Sequence, residues 1–338
     1  MIKQPFDLKA YNTFGFSVKS MAGAVISSAN QLVEAIELAQ LNQLPIIIIG
    51  GGSNIVLKNN LPGLVLIIKI QGIDIIEEHA EYVYIRVGAG VVWDELVQYS
   101  LNQGWYGLEN LSIIPGTVGA CPIQNVGAYG VEIKDFFYEL TALDINTLQE
   151  KVLTNNDCCF QYRDSIFKNE YKDKYVITSV TFKLSKNPQI NLTDLNLRKE
   201  LEHLPYDEIS PESVRSAVIT IRNRRLPKVD DIGNAGSFFM NPIVEENVFN
   251  NIFSQYKDLL FTPLEQKRFK ISAGWLIDKC GWKGHQDNEV GVYEKNPLVL
   301  INHGGGTGDQ LLALSEKIEH SVFTTFGIKL KMEPRLYY

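Results

Sequence analysis

Three side chains in this sequence stand in surroundings that do not explain them. Ser237, in "GNAGSFFMNP", lies between a flexible glycine run and two adjacent phenylalanines. Exposed loops rarely carry two phenylalanines together, and a buried hydroxyl without a partner costs about 1–3 kcal/mol. Ser237 therefore needs a hydrogen-bond partner or a chemical task. Arg163 follows Tyr162 in "CFQYRDSIFK". Pairing with Asp164 at the surface is the ordinary fate of such an arginine, but an aromatic, sparsely charged neighbourhood also suits a bidentate clamp on a carboxylate. Glu333, in "KLKMEPRLYY", has a salt bridge with Arg335 on an edge strand as its plain alternative.

Glycine loops form the second group. "GGGSN" (Gly50, Gly51, Gly52, Ser53, Asn54) follows a strand-like run and brings bare backbone N–H groups to where a phosphate could approach. It matches neither the dinucleotide nor the Walker pattern, and on its own a tight turn explains it better. "NHGGGTGD" reads as a strand-to-helix connection. The segment "IPGTVGACPIQNVGAYG", residues 114–130, is different: it holds four glycines, two prolines and the amides Gln124 and Asn125, with no charged residue. Its pattern is too irregular for helix or sheet, and uncharged irregular backbone needs a partner. Such a wall suits a large planar ligand that carries a pyrophosphate.

Apolar periodicity supplies the elements that must hold these residues. "SSANQLVEAIELAQLNQ" is a helix with Leu32, Ile36 and Ala39 on its buried face; "PIIII", "GLVLIIKI" and "EYVYIRVGAG" are strands. "VVWDELVQYSLNQG" is a helix whose apolar face holds Val92, Leu96 and Tyr99. "FFYELTALDI" and "KYVITSVTFKLS" are strands, and the Asn, Pro and Thr cluster of "NPQINLTDLN" marks a boundary. Beyond it, "SPESVRSAVITIRNRRL" is a capped helix ending before Pro227. Helices in "EENVFNNIFSQY", "SAGWLIDKCG" and "GDQLLALSEKIEHSVFTTF" then alternate with strands in "PLVLIN" and "IKLKM".

Composition narrows the classes. With 338 residues and 45% of them apolar, the chain can bury more than one core. A net charge of −7 without a basic stripe argues against nucleic acid. The four cysteines form no disulfide or CxxC framework and are expected to be reduced; the five histidines lack metal-ligand spacing, so no metal is expected. The N-terminus has no signal-like core and the apolar runs are too short to span a bilayer, so a cytoplasmic protein without membrane insertion is expected.

Taken together, "YNTFG", "GGGSN", "GLENLSIIPGTVGACPIQNVGAYG", "YRDSIFK", "NAGSFFMNP", "SAGWLIDKCGWKG" and "LVLIN" closely resemble, in order, the motifs of the UDP-N-acetylenolpyruvoylglucosamine reductase family, of the longer-form type. The resemblance implies an α+β fold. An FAD-binding domain of the PCMH or vanillyl-alcohol-oxidase type would occupy residues 1–188, in two α+β subdomains of about 1–70 and 71–188. A C-terminal α+β domain for substrate binding and catalysis would follow at 189–338. It further implies a monomer in which NADPH reduces FAD, and the flavin reduces UDP-N-acetyl-3-O-(1-carboxyvinyl)-glucosamine to UDP-N-acetylmuramate for peptidoglycan.

Carried over residue by residue, the catalytic positions are Arg163, Ser237 and Glu333. Ser237 would protonate carbon, while Arg163 and Glu333 hold and polarise the substrate carboxylate. FAD contacts fall on the "GGGSN" loop, on Ile114, Pro115, Gly116, Thr117, Gly119 and Ala120, and on Gln124, Asn125, Gly127, Ala128, Tyr129 and Gly130. Substrate contacts fall on Tyr162, Arg225, Asn241, Lys283 and Asn296. The chain departs from the family pattern at Arg225, where many relatives have lysine, and at Asn296, where some have glutamine. Thr262 stands where longer-form enzymes carry a substrate-contacting tyrosine, and "INLTDLNLRKELEHLPYDE" lacks a match to their loop tyrosine. Two alternatives stay open: a flavin oxidase with the same cofactor architecture, and a non-catalytic nucleotide-sugar binder.

Overall fold

In the computed structural model, which describes residues 2–338, the chain divides into two units that are not contiguous in sequence. The first comprises residues 1–6, 20–52 and 62–223; the second comprises 7–19, 53–61 and 224–338. The segment 189–223 therefore groups by contact with the first unit, although the sequence places a boundary near 188.

Two sheets build the first unit. In one, the order is Phe6–Asp7, Lys19–Ile26, Leu61–Ile68 and Ile46–Ile49, the last two running parallel. A parallel neighbour requires a crossover, and the helix Ala29–Leu41 precedes its strand, with Leu32, Ala35, Ile36 and Ala39 buried. Ser28 caps that helix by accepting a hydrogen bond from Gln31 N. The other sheet is antiparallel, in the order Glu150–Thr154, Phe137–Asp144, Tyr175–Ser185, Tyr82–Gly88 and Ile73–Glu78. Alternation along Tyr82–Gly88 buries Val83, Ile85 and Val87 and leaves Tyr82 and Tyr84 half-buried.

The helix Trp93–Asn102 follows, but not on the expected face. Trp93, Leu96, Val97, Ser100 and Leu101 are buried, whereas Val92 and Tyr99 are 40% and 37% exposed. Trp93 sets the register: it is fully enclosed and its indole N–H donates to Leu111 O at 2.9 Å. Burying that ring and its spacing partners removes more apolar surface from water than burying Val92 would.

The second unit holds an antiparallel sheet in the order Gly233–Ser237, Val299–Asn302, Val290–Val292 and Gln286–Asp287. A smaller sheet joins Ile243–Glu245, Arg268–Ile271 and Phe261–Pro263. The helix Gly308–Phe326 starts in a capping box at Thr307 and stops at Gly327, whose φ of +69° is the left-handed turn that ends helices. "IKLKM" was expected as a strand; there the chain makes a single bridge, Phe239 with Met332, and the strand proper is Arg335–Tyr337, parallel to Ile55–Leu57. Among the described residues no helix is long and apolar enough to cross a membrane, no group of three His, Cys, Asp or Glu could hold a metal ion, and all four cysteines are free.

Candidate active site

Within the first unit the two glycine segments meet. A side chain at Gly50 would lie 2.7 Å from Thr117 Oγ1, and one at Gly51 would lie 2.9 Å from Gly116 Cα. Gly51 faces the Gly116 backbone and Gly50 the Thr117 side chain, so neither position has room for a Cβ without a shift. Thr117 is 2% exposed and its hydroxyl has no hydrogen-bond partner among the described residues. An orphaned hydroxyl between two glycine-rich turns is a place a ligand oxygen can occupy, and the donor set fits a phosphate-bearing cofactor such as FAD. Gly119 packs on Ala89, where a side chain would come within 2.5 Å of Ala89 Cβ. Ser53 and Asn54, the rest of the "GGGSN" loop, belong to the second unit, where Asn54 O accepts from Arg335 N at 2.9 Å.

At its far end residues 114–130 are more regular than expected. After a 3-10 turn at Val118–Ala120, Gly127–Ala128 pairs with Val131–Glu132 as a hairpin closed by Tyr129 and Gly130 at φ +50° and +84°. Two central residues with positive φ suit the strand twist, but such turns favour Asn or Gly, so Tyr129 is held in a sparsely populated conformation. Ile113, Asn125 and Arg163 share it, at φ +49°, +46° and +55°. Non-glycine residues there store about 1–3 kcal/mol each, and such strain gathers at functional sites.

Arg163 takes the third position of a four-residue turn, Gln161 to Asp164, closed by reciprocal backbone hydrogen bonds of 3.1 and 3.2 Å. Its guanidinium donates to Gly127 O at 2.6 Å and lies 5.3 Å from the Tyr162 ring centre. Asp164, offered above as its partner, accepts from Ser165 N and Asn169 Nδ2. Asn125 is fully enclosed and donates to Glu132 Oε2 and Gln161 O while accepting from Lys134 N. Its side chain thus ties the hairpin to the Arg163 turn. Ile114, Pro115, Gln124 and Ala128 complete the segment, Pro115 on the exposed side.

Sequence reasoning missed the charge network behind this hairpin. Asp94, in the first turn of Trp93–Asn102, is bidentate with Arg215 at 2.6 and 2.8 Å and accepts from Ile113 N at 2.6 Å. Burial works against the Asp94 charge, but the bonds from Arg215 and Ile113 outweigh it and hold the carboxyl below its usual range. Arg222 lies seven residues beyond Arg215 on the helix Pro211–Arg225, hence on the same face. It hydrogen-bonds the Tyr129 side chain, and its Nε is enclosed without a hydrogen-bond partner among the described residues. The spacing of Arg215 and Arg222 in "VRSAVITIRNRR" was the available signal.

In the second unit the serine strand is fixed from both sides. Ser237 opposes Val299 in register; Phe238 N donates to Leu298 O at 2.7 Å, and Phe238 O accepts from Glu333 N at 2.8 Å. The segment bearing Glu333 therefore runs beside the serine strand, and both side chains are half-buried. Phe238 and Phe239 are 0% and 1% exposed; Phe14 meets Phe238 edge-on at 6.4 Å and stacks on Phe16 at 5.1 Å. Gly236 takes φ +68°, its N–H bound by Asn234 Oδ1. Ser237 thus sits half-buried at the end of its strand, next to two enclosed phenylalanines.

The expected substrate residues of this unit divide. Arg225, the last residue of its helix, and Lys283 are exposed and able to meet a diphosphate. Asn241 Oδ1 caps the helix Ala273–Lys279 by accepting from Ala273 N at 2.9 Å. Asn296, 8% exposed, accepts from Leu298 N at 3.1 Å and shapes the turn into Val299–Asn302.

Comparison with known proteins decides the family. The family model for the C-terminal domain of UDP-N-acetylenolpyruvoylglucosamine reductase matches residues 227–337, and that for an FAD binding domain matches residues 22–149. The chain is 44% identical over 335 residues to the UDP-N-acetylenolpyruvoylglucosamine reductase of Bdellovibrio bacteriovorus, covering 98% of each. It belongs to the UDP-N-acetylenolpyruvoylglucosamine reductase family. The reductase of Pseudomonas aeruginosa is 43% identical over 336 residues, with 99% of each chain covered. The crystal structure of the reductase from Thermus caldophilus, 21% identical, superposes over 100% of both chains with a TM-score of 0.71 and shares the fold. Membership makes the chain an oxidoreductase with an FAD-binding domain and a reductase C-terminal domain.

Proposed function

We propose that this chain reduces the enolpyruvyl ether of UDP-N-acetylglucosamine to UDP-N-acetylmuramate, drawing electrons from NADPH, in peptidoglycan precursor synthesis. Bound FAD supplies the chemistry of accepting hydride from NADPH and passing it to the methylene carbon of the substrate. Gly50, Gly51, Gly116 and Thr117 hold the phosphate-bearing part of that cofactor. The functional division falls at residues 1–188 for the flavin and 189–338 for the substrate, and the protein acts as a cytoplasmic monomer.

Adding hydride to the methylene carbon leaves an electron pair shared between the neighbouring carbon and the carboxylate. Positive charge and hydrogen bonds stabilise that species, and Arg163 supplies the charge. Glu333 helps to hold and polarise the carboxylate. The carbon must then take a proton, and Ser237 Oγ gives it. The enclosed phenylalanines behind the serine exclude water that would screen these charges. Arg225 and Lys283 bind the diphosphate, and Tyr162 packs beside Arg163 on the sugar.

The observation that supports this reading is the hydrogen bond between Glu333 N and Phe238 O, which runs the backbone of the Glu333 segment beside the strand that bears Ser237. Its test is a spectrum with an oxygen electrode. Purified protein should be yellow, and with NADPH and the enolpyruvyl sugar it should consume NADPH without taking up oxygen in proportion. Colourless protein, or oxygen uptake matching NADPH loss whatever the sugar, would overturn it.

A further inference from the structure

One side-chain amide sets both ends of Arg163. Asn125 is fully enclosed, and its Nδ2 donates twice, to Gln161 O at 3.1 Å and to Glu132 Oε2 at 2.9 Å, while Lys134 N donates to its Oδ1 at 3.2 Å. Gln161 opens the four-residue turn that carries Arg163, so the first bond fixes the base of the arginine. Glu132 is paired with Gly127 in the hairpin, and Gly127 O accepts from the Arg163 guanidinium at 2.6 Å. The second bond therefore fixes the carbonyl that aims the arginine's tip. Ser165, 1% exposed, adds a tie at the other end of the turn by donating to Ile123 O at 2.8 Å.

The residue type suits that task more than it suits a ligand contact. Asn125 has φ +46°, a region that asparagine accepts more readily than most residues. Aspartate would fit the same space but would offer no donor to Gln161 O and would set a second carboxylate against Glu132. The resemblance puts Asn125 among the FAD contacts, yet full enclosure leaves it no face for a ligand, and both amide hydrogens are committed within the protein.

We propose that Asn125 is a positioning residue: it touches neither cofactor nor substrate and acts on the reaction by holding the Arg163 guanidinium on the substrate carboxylate. The inference rests on the reading of Arg163 as the carboxylate clamp. A clamp works through distance and direction, and a displacement of about 1 Å can cost about a hundredfold in rate.

The test follows the two half-reactions separately by anaerobic stopped-flow absorbance, in the full chain with FAD in excess. Asn125→Gly keeps the left-handed backbone and removes the amide; Asn125→Asp keeps the shape and removes both donors. Each should slow reoxidation of reduced flavin by the enolpyruvyl UDP-sugar about 10–100-fold and leave reduction by NADPH within about threefold of the unaltered rate. In an Arg163→Gln background, adding Asn125→Gly should slow reoxidation by less than about twofold more, because a residue that acts only through Arg163 has nothing left to position. Full multiplication of the two losses would overturn the proposal. So would equal losses in both half-reactions, or loss of FAD in proportion, which would make Asn125 a cofactor contact. Should neither Asn125 variant fold, Glu132→Ala removes one anchor of the amide from its partly exposed side and should show the same selective loss; unchanged reoxidation there would overturn the proposal too. Full-rate reoxidation in Arg163→Gln alone defeats the clamp reading itself, which is a different result from a slow Arg163→Gln enzyme in which Asn125 acts independently.

Discussion

Ser237 can be tested apart from the fold that carries it. Its backbone faces Val299 in the sheet, so alanine removes the hydroxyl and leaves the strand paired. Ser237→Ala should leave flavin reduction by NADPH near normal and slow product formation by about 10²–10⁴-fold, the usual worth of a placed proton donor. Stopped-flow absorbance of each half-reaction checks this; equal losses in both would mean damage to the flavin site. Gly127 offers a complementary change on the other unit. A side chain there would lie 2.8 Å from Glu132 Cγ and from Val131 O, and 3.3 Å from Arg163 Nη1. Gly127→Ala should therefore cost about 1–3 kcal/mol of stability through overpacking and lower turnover by displacing Arg163. A variant with normal melting temperature and turnover would show that Arg163 is not held through Gly127.

Between elements, the pair Asp94–Arg215 fastens the helix Trp93–Asn102 to the helix Pro211–Arg225. Because the folded-state carboxyl titrates below its unfolded value, the pair's stabilisation is present above the unfolded value and is lost as pH falls through the lowered one, below about pH 4. Asp94→Asn should lower stability at pH 7 by about 1–3 kcal/mol, and the difference from the unaltered chain should shrink as pH drops toward 3. Thermal melts across pH 3–8 check it; a difference independent of pH would show that the charge is not what fastens the helices. The sequence disclosed the helix at Trp93–Asn102 and its buried Leu96, but put Val92 and Tyr99 on the same face, because periodicity weighs apolar residues alike while packing favours the largest ring. "IKLKM" alternates like a strand, yet it makes one bridge because its neighbour is the short stretch after Ser237 rather than a full strand. The hairpin at 127–132 was invisible, since its turn carries Tyr129 where turn signals call for Asn or Gly.

For the whole molecule, the motifs were legible in order because glycine contacts and enclosed phenylalanines tolerate few substitutes. The interleaving of the two units was not, because residues 7–19 and 53–61 carry no local sign that they pack with residues 224–338. Phe14 shows why: its carbonyl accepts from Asn302 Nδ2 at 2.7 Å, a contact across 288 positions. Net charge bears on binding as well. On the proposed reading, a chain of net charge −7 meets an anionic sugar nucleotide through local cations, Arg225 and Lys283, both exposed. KM for the UDP-sugar should therefore rise with ionic strength, on a Debye length of about 8 Å at physiological salt, with kcat little changed; Arg225→Gln should flatten that rise. Steady-state kinetics from low to high salt check it, and an insensitive KM would point to an uncharged clamp. The central claim, that electrons pass from NADPH through the flavin to the enolpyruvyl carbon, is tested most directly by anaerobic absorbance of the full-length protein through both half-reactions. NADPH should bleach the flavin band, and the enolpyruvyl UDP-sugar, added without oxygen, should restore it as UDP-N-acetylmuramate forms in equal amount; a bleached flavin that oxygen restores and the sugar does not would contradict the account.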